Sequence, residues 1–249
     1  MRPALAGRGR LTAMRSTILQ KMPATLGVLL LAACQHAPLP SPALPEPSNW
    51  TAAWRPFPLP GKRSTAYNAQ VEGTGWVLHA AAERSASMYR RPLRIEAQEL
   101  RDVTFSWKVS TLPSGADVRE VESGDAVRVM LAFDGDRSSL SARNRMMFDL
   151  MEAVAGEPPP FATLMYVWNT QACAEKLVIN RRSDRVRKIV LESGPAHLGQ
   201  WRHYRRDVRA DFKLAFGEDP GPLIGVAVMT DSDNTQSRAE AWFGEIRFQ

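Results

Sequence analysis

Val103, Phe105, Trp107 and Val109 alternate without a break with Asp102, Thr104, Ser106 and Lys108. That spacing puts every second side chain on one face of an extended chain, so it predicts a strand with one buried and one solvated face. Such a face has to be covered by a second layer. Asp125 to Phe133 repeats the pattern with Val127, Val129, Leu131 and Phe133 on one side and Arg128 on the other. Phe161 to Trp168 is apolar on both faces, as a central strand would be. Leu177 to Asn180, Arg187 to Leu191, Ile224 to Thr230 and Ala239 to Phe248 add further short runs, many separated by Gly, Pro, Asn and Asp. Their number and length predict a mainly β chain, an antiparallel β-sandwich of jelly-roll-like form spanning 49–249.

Two segments break the strand pattern. Between Ser139 and Val154, residues Met147, Leu150, Met151 and Val154 recur at helical spacing, and Gly156 with Pro158-Pro159-Pro160 ends the run. This predicts a helical insertion whose methionine stripe packs on a sheet. Val208 to Phe216 predicts one short helix in the C-terminal half, with Phe212, Ala215 and Phe216 on its apolar face before Gly217.

Residues 1–33 read as an address. They carry Arg2, Arg8, Arg10, Arg15 and Lys21, no acidic residue, and an apolar run from Leu26 to Ala33. That is the layout of a secretory signal peptide, and the run is too short to cross a bilayer, which takes about 20 residues. Met1 and Met14 are both compatible starts. Leu31-Ala32-Ala33-Cys34 resembles the lipobox of bacterial lipoproteins, in which the cysteine is acylated, palmitate included, and becomes the mature N-terminus. Gln35 after it resembles the pattern of lipoproteins sent to the outer membrane, facing the periplasm. Residues 34–48 are then a lipidated cysteine and a proline-rich tether, extended as polyproline II. Losing the leader takes the net charge from +6 to +1, so the high isoelectric point is no argument for a nucleic-acid partner. With Cys34 lipidated, Cys173 has no partner thiol, and stability has to come from a core.

The C-terminal half resembles a bacterial family known as domain of unknown function 3047. The resemblance rests on Tyr166-Val167-Trp168, Trp201 with Arg205-Arg206-Asp207-Val208 and Asp211-Phe212, and Phe216-Gly217-Glu218-Asp219-Pro220. It continues through Ile224 to Thr235 and Gly244-Glu245-Ile246-Arg247-Phe248, and covers the chain from about Trp54 onward. It implies a common fold and no particular reaction.

The densest polar signal is Thr230-Asp231-Ser232-Asp233-Asn234-Thr235. Its oxygens suit a turn that satisfies its own backbone, a polar ligand or salt-bridge network, or a structural calcium ion near Asp231 and Asp233. The glycine and the glutamate of an EF-hand loop are missing. Arg128, Tyr166, Trp168 and Asp231 form a second candidate, in which rings and charges on one concave sheet face would grip a sugar. The competing reading is an Arg128 bridge to a carboxylate, because an unpaired buried charge is costly. Trp201 to Arg206 is basic and aromatic, compatible with an anionic envelope polymer, a lipid headgroup or a solvated strand face. The histidines are scattered, and no nucleophile elbow, phosphate loop or dinucleotide fingerprint is present.

These readings lead to a membrane-tethered, non-enzymatic binding module of the bacterial envelope that recognises a glycan through Arg128, Tyr166, Trp168, Asp231, Asp233 and Asn234. Two alternatives stand beside it: an envelope glycan hydrolase or lyase using Asp231 or Asp233, and an envelope scaffold, partnered by another envelope protein, that would expose an apolar patch in place of a polar groove.

Overall fold

The structure, a computed structural model, describes residues 49–120, 125–172 and 176–249. The leader, Cys34, the tether and Cys173 lie outside the described residues. Two sheets pack on one another. The larger has seven strands in the order β1 (Arg55–Pro58), β4 (Ala86–Ile95), β11 (Leu223–Asp231), β6 (Arg128–Phe133), β7 (Ala162–Asn169), β9 (Val186–Ser193) and β8 (Leu177–Ile179). The smaller runs β10 (Arg202–Asp207), β5 (Asp102–Thr111), β12 (Arg238–Phe243), β3 (Gly75–Glu83) and β2 (Ala66–Glu72), with β13 (Arg247–Phe248) also paired to β5. Every pairing is antiparallel except β7 with β9, which the excursion through β8 makes parallel. The chain is a jelly-roll-like β-sandwich, as the alternation implies.

The core follows the sequence pattern closely. Val103, Phe105, Trp107 and Val109 of β5 face Val129, Leu131 and Phe133 of β6 across the sandwich, all buried. In β7 every residue is buried. Leu164, Tyr166 and Trp168 point between the sheets, while Met165 and Val167 join a second apolar cluster on the outer side with Val118, Val178 and Val190.

Residues 59–65, 84–85 and 232–237 carry the chain from one sheet to the other, and these three crossings meet at one corner. Ser232 N donates to Ser85 O at 3.0 Å, Arg84 N to Ser237 O at 3.0 Å, and Thr65 Oγ1 to Thr230 O at 2.9 Å. By contrast β2 and β3 stay in one sheet, joined by Gly73-Thr74. Gly73 lies at φ 62, the positive φ that the first position of such a two-residue turn takes.

Both expected helices form. α1 (Ala142–Ala155) starts at Ser141, whose hydroxyl accepts from Asn144 N, and ends at Gly156 with φ 75. α2 (Val208–Phe216) is capped by Asp207, buries Val208, Phe212 and Ala215, and ends at Gly217. The packing of α1 corrects the sequence reading. Its buried residues are Asn144 and Phe148, one turn apart. Asn144 Nδ2 donates to Asp184 Oδ1 at 2.6 Å and its Oδ1 accepts from Ser183. Leu150, Met151 and Val154 stay 58, 46 and 59% exposed, because the docked face lies to one side of the stripe.

Candidate functional site

On the outer face of the six-stranded sheet, alternation turns Lys108 of β5, Glu240 and Trp242 of β12, and His79 of β3 away from the core. Glu72 ends β2 and Trp201 directly precedes β10, so these two stand on opposite edges of the sheet. With strands about 4.8 Å apart, three intervening strands would hold the edges about 19 Å apart if the sheet were flat. Yet Trp201 Nε1 donates to Glu72 Oε1 at 3.1 Å, and Lys108 Nζ reaches the same oxygen at 2.6 Å. The face is therefore concave.

Lys108 lies over two rings, 4.6 Å from the centroid of Trp242 and 5.1 Å from that of Trp201. His79 stacks on Trp242 with ring centroids 4.7 Å apart, and its Nε2 is 2.9 Å from Glu240 Oε1. Ser110 Oγ donates to the other oxygen of Glu240 at 2.5 Å. Both indoles are half-buried, so each offers ring surface to a ligand. Lys108 holds Glu72 below the usual carboxylate value of 4.5, with the Trp201 N–H adding to it. Ser110, and then His79, lower Glu240 in the same way. Both carboxylates are thus ionised at neutral pH, Glu72 bonded by an ammonium and an indole N–H and Glu240 by a hydroxyl and an imidazole.

Residues 52–247 match the family described as protein of unknown function, DUF3047. The chain belongs to that family. No curated protein sequence matches it. Among solved structures it is similar to the family 11 carbohydrate-binding module from Clostridium thermocellum in complex with a mixed-linked tetrasaccharide. That pair is 8% identical over 79% of this chain and 88% of the module, with a TM-score of 0.39. It is similar also to a cellulase derived from Cel12A of Rhodothermus marinus, at 12% identity, 79% and 92% coverage and a TM-score of 0.44. A third is the xyloglucanase domain of NopAA from Sinorhizobium fredii, at 9% identity, 79% and 93% coverage and a TM-score of 0.40.

In this DUF3047 chain the residues expected to form a site are spread over three places. Tyr166 and Trp168 are 0% exposed, between the sheets, on the face of β7 opposite to Arg128. Tyr166 donates to Asp211 Oδ2 at 2.8 Å, and Trp168 Nε1 to Gly194 O at 2.9 Å. Arg206 doubly bonds the same Asp211. Burial, with Asp211 beside it, pushes the Tyr166 hydroxyl far above its usual value of 10.0. The single face of rings and charges read from the sequence does not form, because β7 turns its rings inward.

Arg128 and Asp231 do meet, on the outer face of the seven-stranded sheet. Arg128 Nε donates to Asp125 Oδ2 at 2.5 Å and Nη2 to Asp231 Oδ2 at 2.9 Å. Lys188, also buried, lies 3.5 Å from Asp125 and donates to Val118 O at 3.1 Å. Desolvation alone would lower the Arg128 pKa, but Asp125 and Asp231 outweigh it and raise it. For Lys188 burial wins, and its pKa falls.

Asp233 and Asn234 sit in the corner loop. Asp233 N donates to Asp231 Oδ1 at 3.1 Å, closing an Asx turn. Lys62 pairs with Asp233 and donates to Asn234 Oδ1 at 3.2 Å. Both carboxylate oxygens of Asp231 and Oδ2 of Asp233 therefore already face Arg128, a backbone N–H and Lys62. Among the described residues no group of three or more His, Cys, Asp or Glu gathers as a metal site would need. The basic stretch 202–206 is likewise neutralised from within. Arg202 pairs with Glu192, Arg205 with Asp102 and Arg206 with Asp211.

The sequence reading did not single out Glu72, Glu240 or Trp242, and it left Lys108 as the polar side of a strand. The available signal was alternation in the last strands, where Glu240 and Trp242 fall out of phase with Ala239, Ala241 and Phe243.

Proposed function

We propose that the chain is a lipid-tethered, non-enzymatic module of the bacterial envelope that binds a neutral glycan on the concave face of the six-stranded sheet. The observation that carries this reading is the pair of half-buried indoles, Trp201 and Trp242, set among Glu72, Glu240, Lys108 and His79 on one curved surface. Ring faces take the apolar side of a pyranose, while carboxylate, ammonium and imidazole groups bond its hydroxyls. Lys108 offsets the charge of Glu72 while Glu240 adds a further negative charge to that face, which favours an uncharged sugar over an anionic polymer. Glycoside hydrolysis needs one carboxylic acid with a raised pKa as proton donor. Both glutamates are lowered instead, which favours binding without cleavage. Acylation at Cys34 and the proline-rich tether would hold this face off the outer membrane on its periplasmic side.

The test is calorimetric titration with a panel of neutral and acidic envelope glycans and β-glucan oligosaccharides. Saturable binding of a neutral member, at least about tenfold weaker in a folded Trp242→Ala variant, supports the reading. Cleavage of a member would replace it with the hydrolase, and silence across the panel at millimolar concentration would remove the glycan.

A further inference from the structure

The opposite side of the sandwich carries a second cavity, of about 910 Å³. Its floor is the outer face of the seven-stranded sheet, where Met88, Met130, Met165, Ala132 and Ala227 face outward with Thr163, and Arg90 stands on the same face toward the mouth. The exposed Leu150, Met151 and Val154 of α1 form its wall. The volume lies within the range of about 300–1,000 Å³ typical of small-molecule sites. Sugar hydroxyls placed over these methionines and alanines would find few partners, and each one left unsatisfied is costly. An acyl chain has no polar group to leave unsatisfied there, and unbranched methionines adapt to its shape.

The mouth carries charge. Arg90 forms a two-pronged pair with Glu157 and stacks over Phe57 at 3.9 Å. Arg55, exposed beside it, donates only to the backbone carbonyls of Ala52 and Trp54, at 2.6 and 2.7 Å. Among the described residues no carboxylate pairs with Arg55, so this end of the cavity holds a net positive charge.

We propose that this cavity binds a single-chain acyl lipid with an anionic head, the chain lying between α1 and the sheet and the head at Arg55. The site is independent of the glycan face, since it lies on the other sheet.

The experiment titrates the full chain with cis-parinaric acid and follows the fluorescence of the bound polyene. Saturable binding is expected. Ala132→Trp and Ala227→Trp, which fill the cavity from its floor, should weaken it at least about tenfold. Arg55→Glu, an exposed change that leaves the floor intact, should weaken the acid but not its methyl ester. Acid binding unaltered in Arg55→Glu, or in a filled variant that melts like the parent, overturns the proposal, since acyl binding elsewhere on the chain would survive these changes. So does the absence of saturation. Concentration-dependent dimers that Leu150→Glu dissociates would assign the cavity to a second copy instead.

Discussion

The indole N–H of Trp201 donates to Glu72 Oε1 at 3.1 Å although the two residues stand at opposite edges of a five-strand row. Only a curled sheet allows that contact. The curl brings Lys108 to the same carboxylate and leaves Trp242 between the edges as the floor. Pairing Lys108 with Glu72 has two effects: it fixes the ammonium over both rings and keeps the carboxylate ionised.

Replacing Lys108 by methionine removes the largest cause of the lowered Glu72 pKa, so that pKa should rise toward 4.5. A carboxyl whose folded pKa is below its unfolded value adds stability above the unfolded value and loses it as pH falls through the folded one. The parent chain should therefore lose stability as pH drops below about 4.5, and Lys108→Met should lose less over that window. Carboxyl NMR titration and acid-denaturation curves check both.

Asp231→Ala leaves Arg128 and Lys188 facing Asp125 alone, in a site where Arg128, Asp125 and Asp231 are almost wholly enclosed. Removing one partner of a buried pair costs about 3–5 kcal/mol, and each kcal/mol is worth about 2–4 °C in a domain of this size. Thermal unfolding should show a drop of at least about 6 °C. An unchanged melting temperature would mean that the ion pairs contribute nothing to stability.

Tyr166→Phe deletes a hydroxyl that donates to the buried Asp211. Leaving that acceptor short of a partner costs about 1–3 kcal/mol, although Arg206 still bonds it. Denaturant unfolding should show that loss, while binding of any glycan at the concave face stays as it was.

How much of this was legible in the sequence depends on distance along the chain. The β5 alternation, the two-sided burial of β7 and both helices are local patterns, and they folded as read. The polar cluster at 230–235 was visible too. Its physical origin is the corner where the chain leaves one sheet for the other, which periodicity does not reveal. β3 and β4 gave weak signals because alanine fills β3, while β4 carries Arg90, Arg91, Pro92 and Arg94. The concave site was hidden because Glu72, Lys108 and Trp201 come together only through the curl of a sheet whose strands are far apart in sequence. The methionine stripe of α1 was read correctly as apolar but wrongly as covered, since Asn144 and Phe148 dock the helix by its neighbouring face.

The most direct test of the central claim is to follow the indole N–H resonances during titration with each neutral member of the glycan panel. Those of Trp201 and Trp242 should shift together and saturate with at least one member. That of Trp168, bonded to Gly194 O inside the core, should stay still. Stationary Trp201 and Trp242 signals at about 10 mM of every member, weaker than any millimolar interaction, would contradict glycan binding on this face.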